Sequence, residues 1–461
     1  MELNSCNTLI IYYTIISVYM KKLFHIKTYG CQMNYYDSNK ISDLLSQIGY
    51  EQSNSFEKCD LAILNTCHIR EKASEKMYSD VGRLSILKQN KIKTGRDFKI
   101  VVAGCVAQAE GKQIFKRNKN VDIIIGPQTY HRLPELLSKT QKVIATDFPD
   151  ESKFDYLPKT RKTTTSAFVT IQEGCDKFCS FCVVPYTRGA EFSRSVNEIY
   201  YEIEHLVNLG VKEISLLGQN VSSFHGNYRT KHKNEKYSLA QLIQHISRID
   251  GLERIRYITS HPSDITNELI HEHGVNQKLM PYLHLPIQSG SNRILKKMNR
   301  RHSKESYIEL IKKLREVRSD LAISSDFIVG YPGEKSKDFE DTLEVIRKIN
   351  FASSYSFKYS ERPGTPASLI KNSVTDEIKN QRLKILQKEL DEQQVKFNRS
   401  FIGQKLSVLF EKKGKKPNQF VGRSQYLQPV HVISKKTVIG QIHDVAIQKR
   451  TSYSLHGNLI K

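Results

Sequence analysis

Gly174-Cys-Asp-Lys-Phe-Cys-Ser-Phe-Cys-Val-Val-Pro-Tyr186 places three thiols, Cys175, Cys179 and Cys182, in CxxxCxxC spacing directly after a strand expected over Ala167–Gln172. Three thiolates can hold three irons of a [4Fe–4S] cluster and leave the fourth iron without a protein ligand, open to chemistry. A structural zinc site is the plainer alternative. Zinc asks for four ligands, commonly as two close pairs, and no fourth thiol or imidazole stands at matching range.

Downstream of the motif, strands and helices alternate. Strands are expected near Ala167–Gln172, Glu213–Gly218, Arg254–Thr259, Tyr282–Ile287, Ile323–Val329 and Ser354–Tyr359, with helices such as Val196–Leu209, Leu239–Ile249 and Lys304–Val317 between them. Six βα units predict a partial (βα)6 barrel with its active site at the carboxyl ends of the strands, where the cysteine loop also falls. Four other strand ends carry polar or glycine-rich turns: Gly218-Gln219-Asn220, Thr259-Ser260-His261-Pro262, Gln288-Ser289-Gly290 and Gly330-Tyr-Pro-Gly-Glu334. Any one of them alone reads as an ordinary turn. On a shared rim, Gly218, Gln219, Ser260, Gln288 and Asp326 become candidate cofactor-binding residues, and Asp326 with Ser324 and Ser325 is expected to face the barrel interior.

Upstream, Leu23–Thr28, Leu61–Thr66, Ile100–Ala103, Val121–Ile125 and Val143–Ala145 read as strands. The helix expected over Asp37–Ile48 sets Ile41, Leu44, Leu45 and Ile48 on one face. The pattern is that of a doubly wound α/β domain with a parallel sheet, whose ligand site belongs at the strand carboxyl ends. Cys31, Cys67 and Cys105 fall at three of those ends, and adjacent strands lie about 4.8 Å apart, so the thiols can converge. Helix starts there would lower their pKa values. The alternative is three buried cysteines acting as small apolar residues. Cys59, at the start of the second strand and roughly 26 Å from Cys67 along an extended chain, reads as an inert core thiol.

Phe148 to about Ser166, with Lys159-Thr-Arg-Lys-Thr-Thr-Thr, reads as a linker. A helix over Asp376–Phe397 with an apolar stripe of Leu383, Leu386, Leu390 and Phe397 ends the barrel region. Short β segments follow, at Lys405–Phe410, Tyr426–Ile433, Val438–Ile439 and Val445–Ile447, consistent with a small β-barrel of the kind that binds RNA. The domain boundaries expected are 1–20 for an extension outside the fold, 21–150, 151–398 and 399–461.

The formal charge is +23 across 461 residues. Residues 401–461 hold eleven Lys or Arg against Glu411 and Asp444, a concentration suited to a polyanion. Lys412, Lys413, Lys415 and Lys416 flank Gly414 in an expected loop. Eight cysteines are too few and too uneven for a secreted disulfide scaffold. Iron-binding thiols favour a reducing compartment, the cytoplasm. Leu9–Met20 is apolar but short for a membrane span, so no membrane is expected.

With its three parts in view, the chain resembles the methylthiotransferases of the radical S-adenosylmethionine (SAM) superfamily over about residues 21–461. The matching runs are Tyr29-Gly-Cys-Gln-Met-Asn34, Asn65-Thr-Cys67, Gly104-Cys105, Gly174 through Gly189, and Gly422-Arg-Ser-Gln-Tyr-Leu-Gln-Pro-Val-His-Val432, the last resembling the family's TRAM domain. Asp-Lys-Phe and Val-Val-Pro-Tyr-Thr-Arg-Gly are most similar to the bacterial branch acting on tRNA that carries N6-isopentenyladenosine beside the anticodon. The resemblance implies two [4Fe–4S] clusters, the catalytic one on Cys175, Cys179 and Cys182 and a second on Cys31, Cys67 and Cys105, associated with the incoming sulfur. It also implies SAM as methyl donor and as source of a 5′-deoxyadenosyl radical acting at C2 of the adenine. Further expectations are a tRNA anticodon stem-loop as partner, reduced flavodoxin or ferredoxin as electron donor, and a monomer. Rival readings are the same chemistry on threonylcarbamoyl-adenosine in tRNA or on a ribosomal-protein aspartate, and a non-catalytic, metal-stabilised RNA-binding protein.

Overall fold

The computed structural model describes residues 21–68, 71–160, 164–231, 234–371, 373–451 and 453–460. The expected 1–20 extension, Cys6 and part of the 159–165 run lie outside the described residues. Two compact units divide the chain, one running to Arg161 and including Tyr186–Arg188, the other holding the rest.

The first unit is built on six parallel strands: β1 (Leu23–Thr28), β2 (Glu51–Gln52), β3 (Leu61–Thr66), β4 (Lys99–Gly104), β5 (Ile123–Ile125) and β6 (Val143–Ala145). Their order is β2-β1-β3-β4-β5-β6, the doubly wound arrangement. Every residue of β3 is buried, as a strand covered on both faces requires. Leu64, Val102 and Ile124 pack on one face of the sheet, and Ile63, Val101 and Ile125 pack on the other against Ile41, Leu44 and Leu45.

The first helix begins earlier than its apolar stripe, at Gln32, and ends at Gln47. Its opening turns, Gln32-Met33-Asn34-Tyr35-Tyr36, mix polar and apolar residues and lie ahead of the regular stripe that begins at Ile41. The stretch expected as a linker is partly packed. Lys153–Tyr156 forms a 3-10 turn, and Lys153 is buried with its ammonium donating to the Pro127 carbonyl at 2.8 Å. A lysine so placed keeps its stem in apolar surroundings while its charge finds partners, which composition alone does not reveal.

The second unit begins with β7 (Ser166–Thr170), the short strands β8 (Gln172–Glu173) and β9 (Phe192–Ser193), and β10 (Glu213–Leu217). A hairpin of β11 (His225–Arg229) and β12 (Asn234–Ser238) follows, with no counterpart in the sequence reading. The barrel strands continue with β13 (Arg254–Tyr257), β14 (Tyr282–His284), β15 (Ala322–Val329) and β16 (Ser353–Lys358). Parallel ladders order them as β13-β10-β7 and β14-β15-β16, joined by a bridge between Ile255 and Leu279. This is a partial barrel of six βα units. One large core lies between strands and helices, uniting Val169, Ile214, Ile255, Leu283, Ile323 and Phe327 with residues such as Ile203, Ile243, Ile311 and Ile346.

Alternation along β15 overturns one expectation. Ser324 and Asp326 share a face with His284, whereas Ser325 points oppositely, donating to the Leu285 carbonyl and accepting from the Ile287 amide. Successive strand side chains cannot share a face, so Ser325 belongs to the helix layer.

The helix Asp376–Arg399, capped by the Thr375 hydroxyl, leads into five strands, β17 (Lys405–Lys413), β18 (Gln419–Ser424), β19 (Pro429–Ile433), β20 (Ile442–Arg450) and β21 (Leu455–Leu459). They close as β17-β18-β19-β21-β20. Val438–Ile439, expected as a strand, lies in a turn in which the apolar Val438 plugs the barrel core. β18 and β21 were not foreseen; each carries a glycine and polar residues that blur alternation. Lys412 and Lys413 lie within β17 rather than in the loop beyond it. Among the described residues no helix is long and apolar enough to cross a membrane.

Candidate active site

In the first unit the sheet order reverses between β1 and β3, the switch point at which open α/β sheets bind ligands. Cys31 follows β1 as N-cap of the helix Gln32–Gln47, Cys67 follows β3, and Cys105 begins the short helix after β4. Gly30 explains how the first two meet. Its φ is +107°, and a Cβ there would stand 2.0 Å from Cys67 Cβ. Only a residue without a side chain fits that approach.

Asn65 ties the rim together, donating to the Asn34 carbonyl and to Ser38 Oγ, both at 2.9 Å, while Asn34 donates to the Tyr29 carbonyl at 3.1 Å. A hydrogen bond with Cys67 draws the Cys31 thiol pKa down, against its burial and with help from the Arg188 guanidinium. At Cys105 burial dominates and pushes the thiol up, although Arg188 also hydrogen-bonds it. The expected lowering at every helix start therefore fails at Cys105, where desolvation outweighs the helix. Cys59 lies before β3, fully buried, its thiol donating to the Phe56 carbonyl and raised to about 11 by burial.

In the second unit the loop bearing Cys175, Cys179 and Cys182 is shaped by Gly174, whose φ is +72° and whose absent Cβ would lie 1.9 Å from the Ala190 carbonyl oxygen. The chain after the helix Asn292–Lys297 pins it. Asn299 donates to the Lys177 and Phe178 carbonyls at 3.2 and 2.9 Å, and the Ser180 amide donates to the Met298 carbonyl at 3.0 Å. Ser180 Oγ also reaches the Lys297 carbonyl and Tyr331 Oη. Arg300 Nη1 stands 3.7 Å from Cys179 Sγ. Burial raises the Cys175 thiol to about 11 and the Cys182 thiol to about 12.

Gln172 joins this loop to the next rim turn. Its Oε1 accepts from the Gln219 and Asn220 amides, and its Nε2 donates to the Gly174 carbonyl. A Cβ on Gly218 would meet the same Oε1 at 2.5 Å. Asn220 then binds Asp264 at 2.6 Å and the His261 amide at 3.0 Å, and Lys177 pairs with Asp264 at 2.7 Å. Three buried atoms here, Gln219 Oε1, Ser260 Oγ and His261 Nε2, have no hydrogen-bond partner among the described residues. Such atoms cost about 1–3 kcal/mol each unless a ligand answers them. Burial, with Arg300 nearby, lowers the His261 imidazole to about 2, so it stays neutral.

Thr259 and Gln288, on the same rim, hold φ values of +69° and +77°. A β-branched residue in that region is strained, and such strain gathers at ligand sites. The other candidates are placed as follows. Gln288 is hydrogen-bonded through its backbone to Asp326 and Ile328, and Asp326 Oδ2 stands 3.6 Å from His284 Nε2. Two of the expected binding turns are engaged internally: Gly290 N–H binds Thr342, and Gly330 N–H binds Glu334, itself paired with Arg382. Among the described residues no group of three or more His, Cys, Asp or Glu closes on a single-ion geometry.

Gln172, Asn299, Arg300 and the Asp37–Arg188 pair carried no role in the sequence reading. Their side-chain contacts reach partners up to 151 residues away or involve backbone groups, and only Arg188, inside the Val-Val-Pro-Tyr-Thr-Arg-Gly run, bore a motif signal. On the closed barrel, Lys412, Lys413, Lys415, Lys416, Lys435, Lys436 and Lys449 are exposed.

Family profiles match three stretches: uncharacterized protein family UPF0004 over residues 23–126, the radical SAM superfamily over 169–346 and the TRAM domain over 399–460. The tRNA-2-methylthio-N(6)-dimethylallyladenosine synthase of Rickettsia conorii is 52% identical over 449 residues, covering 96% of this chain and 100% of that protein. The protein of the same name from Rickettsia typhi is also 52% identical, with the same coverage. In fold, the radical SAM methyltransferase TsrM of Kitasatospora setae matches with a TM-score of 0.55 at 12% identity, over 76% of this chain and 77% of that one. The cobalamin-dependent radical enzyme OxsB matches with a TM-score of 0.52 at 12% identity, over 82% of this chain and 57% of that one. The chain belongs to the tRNA-2-methylthio-N(6)-dimethylallyladenosine synthase family of the radical SAM superfamily.

Proposed function

We propose that this enzyme methylthiolates C2 of N6-isopentenyladenosine beside the anticodon of tRNA, using one SAM as methyl donor and one as radical source. Cys175, Cys179 and Cys182 would hold one [4Fe–4S] cluster and Cys31, Cys67 and Cys105 a second. The donor chemistry fits: each trio offers three sulfur ligands, the number that leaves one iron of a [4Fe–4S] cluster open. A cluster held by Cys175, Cys179 and Cys182 would supply the one-electron reduction of SAM that yields a radical able to take hydrogen from an unactivated carbon.

The protein's part is positioning. Asn299, Ser180 and Gln172 hydrogen-bond the loop that carries the three thiols, which supports a fixed position for it on the rim. The unanswered atoms of Gln219, Ser260 and His261 offer a polar lining suited to SAM, with Gly218, Gln288 and Asp326 on the same rim. The exposed lysines of the closed barrel suit an RNA backbone, leaving an unpaired anticodon-loop base accessible. A cytoplasmic monomer reduced by flavodoxin or ferredoxin completes the reading.

The observation that carries it is the coincidence of one thiol trio on a barrel rim with another at a sheet's switch point. Nucleoside analysis of tRNA from a deletion strain tests it. The expected result is loss of 2-methylthio-N6-isopentenyladenosine with accumulation of N6-isopentenyladenosine, restored by the gene. Unchanged 2-methylthio nucleoside would overturn the assignment and favour threonylcarbamoyl-adenosine or a protein substrate.

A further inference from the structure

The outer wall of the closed C-terminal barrel carries a band of side chains that its core does not use. Lys412 on β17 stands opposite Val421 on β18, Val421 opposite His431 on β19, His431 opposite His456 on β21, and His456 opposite Lys449 on β20. Directly paired residues share a face of the sheet. That face is the outer one, because the flanking Phe420, Val430, Val432 and Leu455 fill the barrel interior. Both lysines are exposed and both histidines partly so. At about 4.8 Å per ladder step, the band covers roughly 19 Å of surface from lysine to lysine.

In its middle the two imidazoles stack, with ring centroids 4.9 Å apart and planes 15° from parallel. Burial lowers the pKa of each ring, and at His456 the neighbouring His431 and Lys449 lower it further. Two protonated rings in that contact would repel each other, so the pair is neutral at physiological pH and offers π faces rather than charge. The charge lies on the lysines. Among the described residues neither Lys412 nor Lys449 forms an ion pair; Glu411 and Asp444, the two acids of residues 401–461, stand 3.5 Å from Arg423 and 2.8 Å from Lys405. A neutral aromatic platform between two cations matches single-stranded RNA, in which flat bases accompany a chain of phosphates. A polyanion without bases would use the lysines and leave the rings idle.

We propose that His431 and His456 form a stacking platform for an unpaired base of bound RNA, with Lys412 and Lys449 meeting phosphates on either side. This contact rests on the reading that tRNA is the partner, and it divides the binding between rings and charges.

The test is equilibrium binding of a tRNA transcript to the full chain, followed by fluorescence anisotropy over a range of KCl concentrations. His431→Ala and His456→Ala should each weaken binding about tenfold, the scale of one lost base stack, at an unchanged slope of log affinity against log salt. Lys412→Ala and Lys449→Ala should weaken binding and each reduce that slope by about 1. His431→Phe and His456→Phe keep a flat ring and should bind as the parent does; they keep the test decisive where an alanine variant does not fold. Heparin, which carries charge without bases, should bind the parent and the histidine variants alike. Unchanged tRNA affinity in both histidine-to-alanine variants, with only the melting temperature lowered, would reduce the pair to a cross-strand contact and overturn the inference. So would a reduced salt slope in those variants, or phenylalanine variants as weak as the alanine ones. A parent chain that binds no tRNA would contradict the tRNA reading itself.

Discussion

Two thiol trios in one chain are assembled by opposite means. Cys175, Cys179 and Cys182 occupy a single loop, and their geometry comes from a local turn pinned by the chain around Asn299. Cys31, Cys67 and Cys105 arrive from three separate βα units and stand at the carboxyl ends of the adjacent strands β1, β3 and β4. One site is set by spacing, the other by topology. Their electrostatics differ in parallel: Arg300 approaches Cys179 from the barrel rim, whereas Arg188, paired with the buried Asp37, exerts a lowering effect on the Cys31 and Cys105 thiols.

The division of labour can be broken most drastically by removing each trio in turn. Alanine at Cys175, Cys179 and Cys182 should abolish reductive SAM cleavage and methylthiolation together. Alanine at Cys31, Cys67 and Cys105 should abolish methylthiolation but leave 5′-deoxyadenosine formation measurable by chromatography after anaerobic incubation with dithionite. Equal loss of both activities in both variants would erase the distinction.

A smaller perturbation sharpens the contrast. Gly30→Ala adds a methyl group where only 2.0 Å separates it from Cys67 Cβ, at a φ of +107°. The strain of such a residue is on the order of 1–3 kcal/mol, and the overlap must be relieved by moving Cys31 away from Cys67. Iron content should fall by about half, with the barrel cluster retained. Unchanged iron in Gly30→Ala would show that the turn tolerates the displacement.

The two sites also differ in how much the sequence disclosed. CxxxCxxC is a local signal, and six apolar runs with intervening helices suffice to place it on a barrel rim. The first-unit trio was legible only through strand ends, because parallel register converts separations of tens of residues into neighbours. Charge pairs such as Arg188 with Asp37 were illegible. Nothing in a polar residue announces that a partner 151 positions away will bury with it. Ser325 failed differently: it stood beside Ser324 and Asp326, and proximity in sequence hid the fact that alternation sends it to the other face. The closed C-terminal barrel was legible as a basic β module, but β18 and β21, interrupted by Gly422 and Gly457, lacked the alternation that marks a strand.

Two independent three-thiol sites should each hold a cluster. Iron and sulfide counted in the anaerobically reconstituted chain, beside the two triple-alanine variants, test it most directly. The prediction is about eight irons in the parent and about four in each variant. About four in the parent, or loss of all iron when either trio is removed, would contradict it.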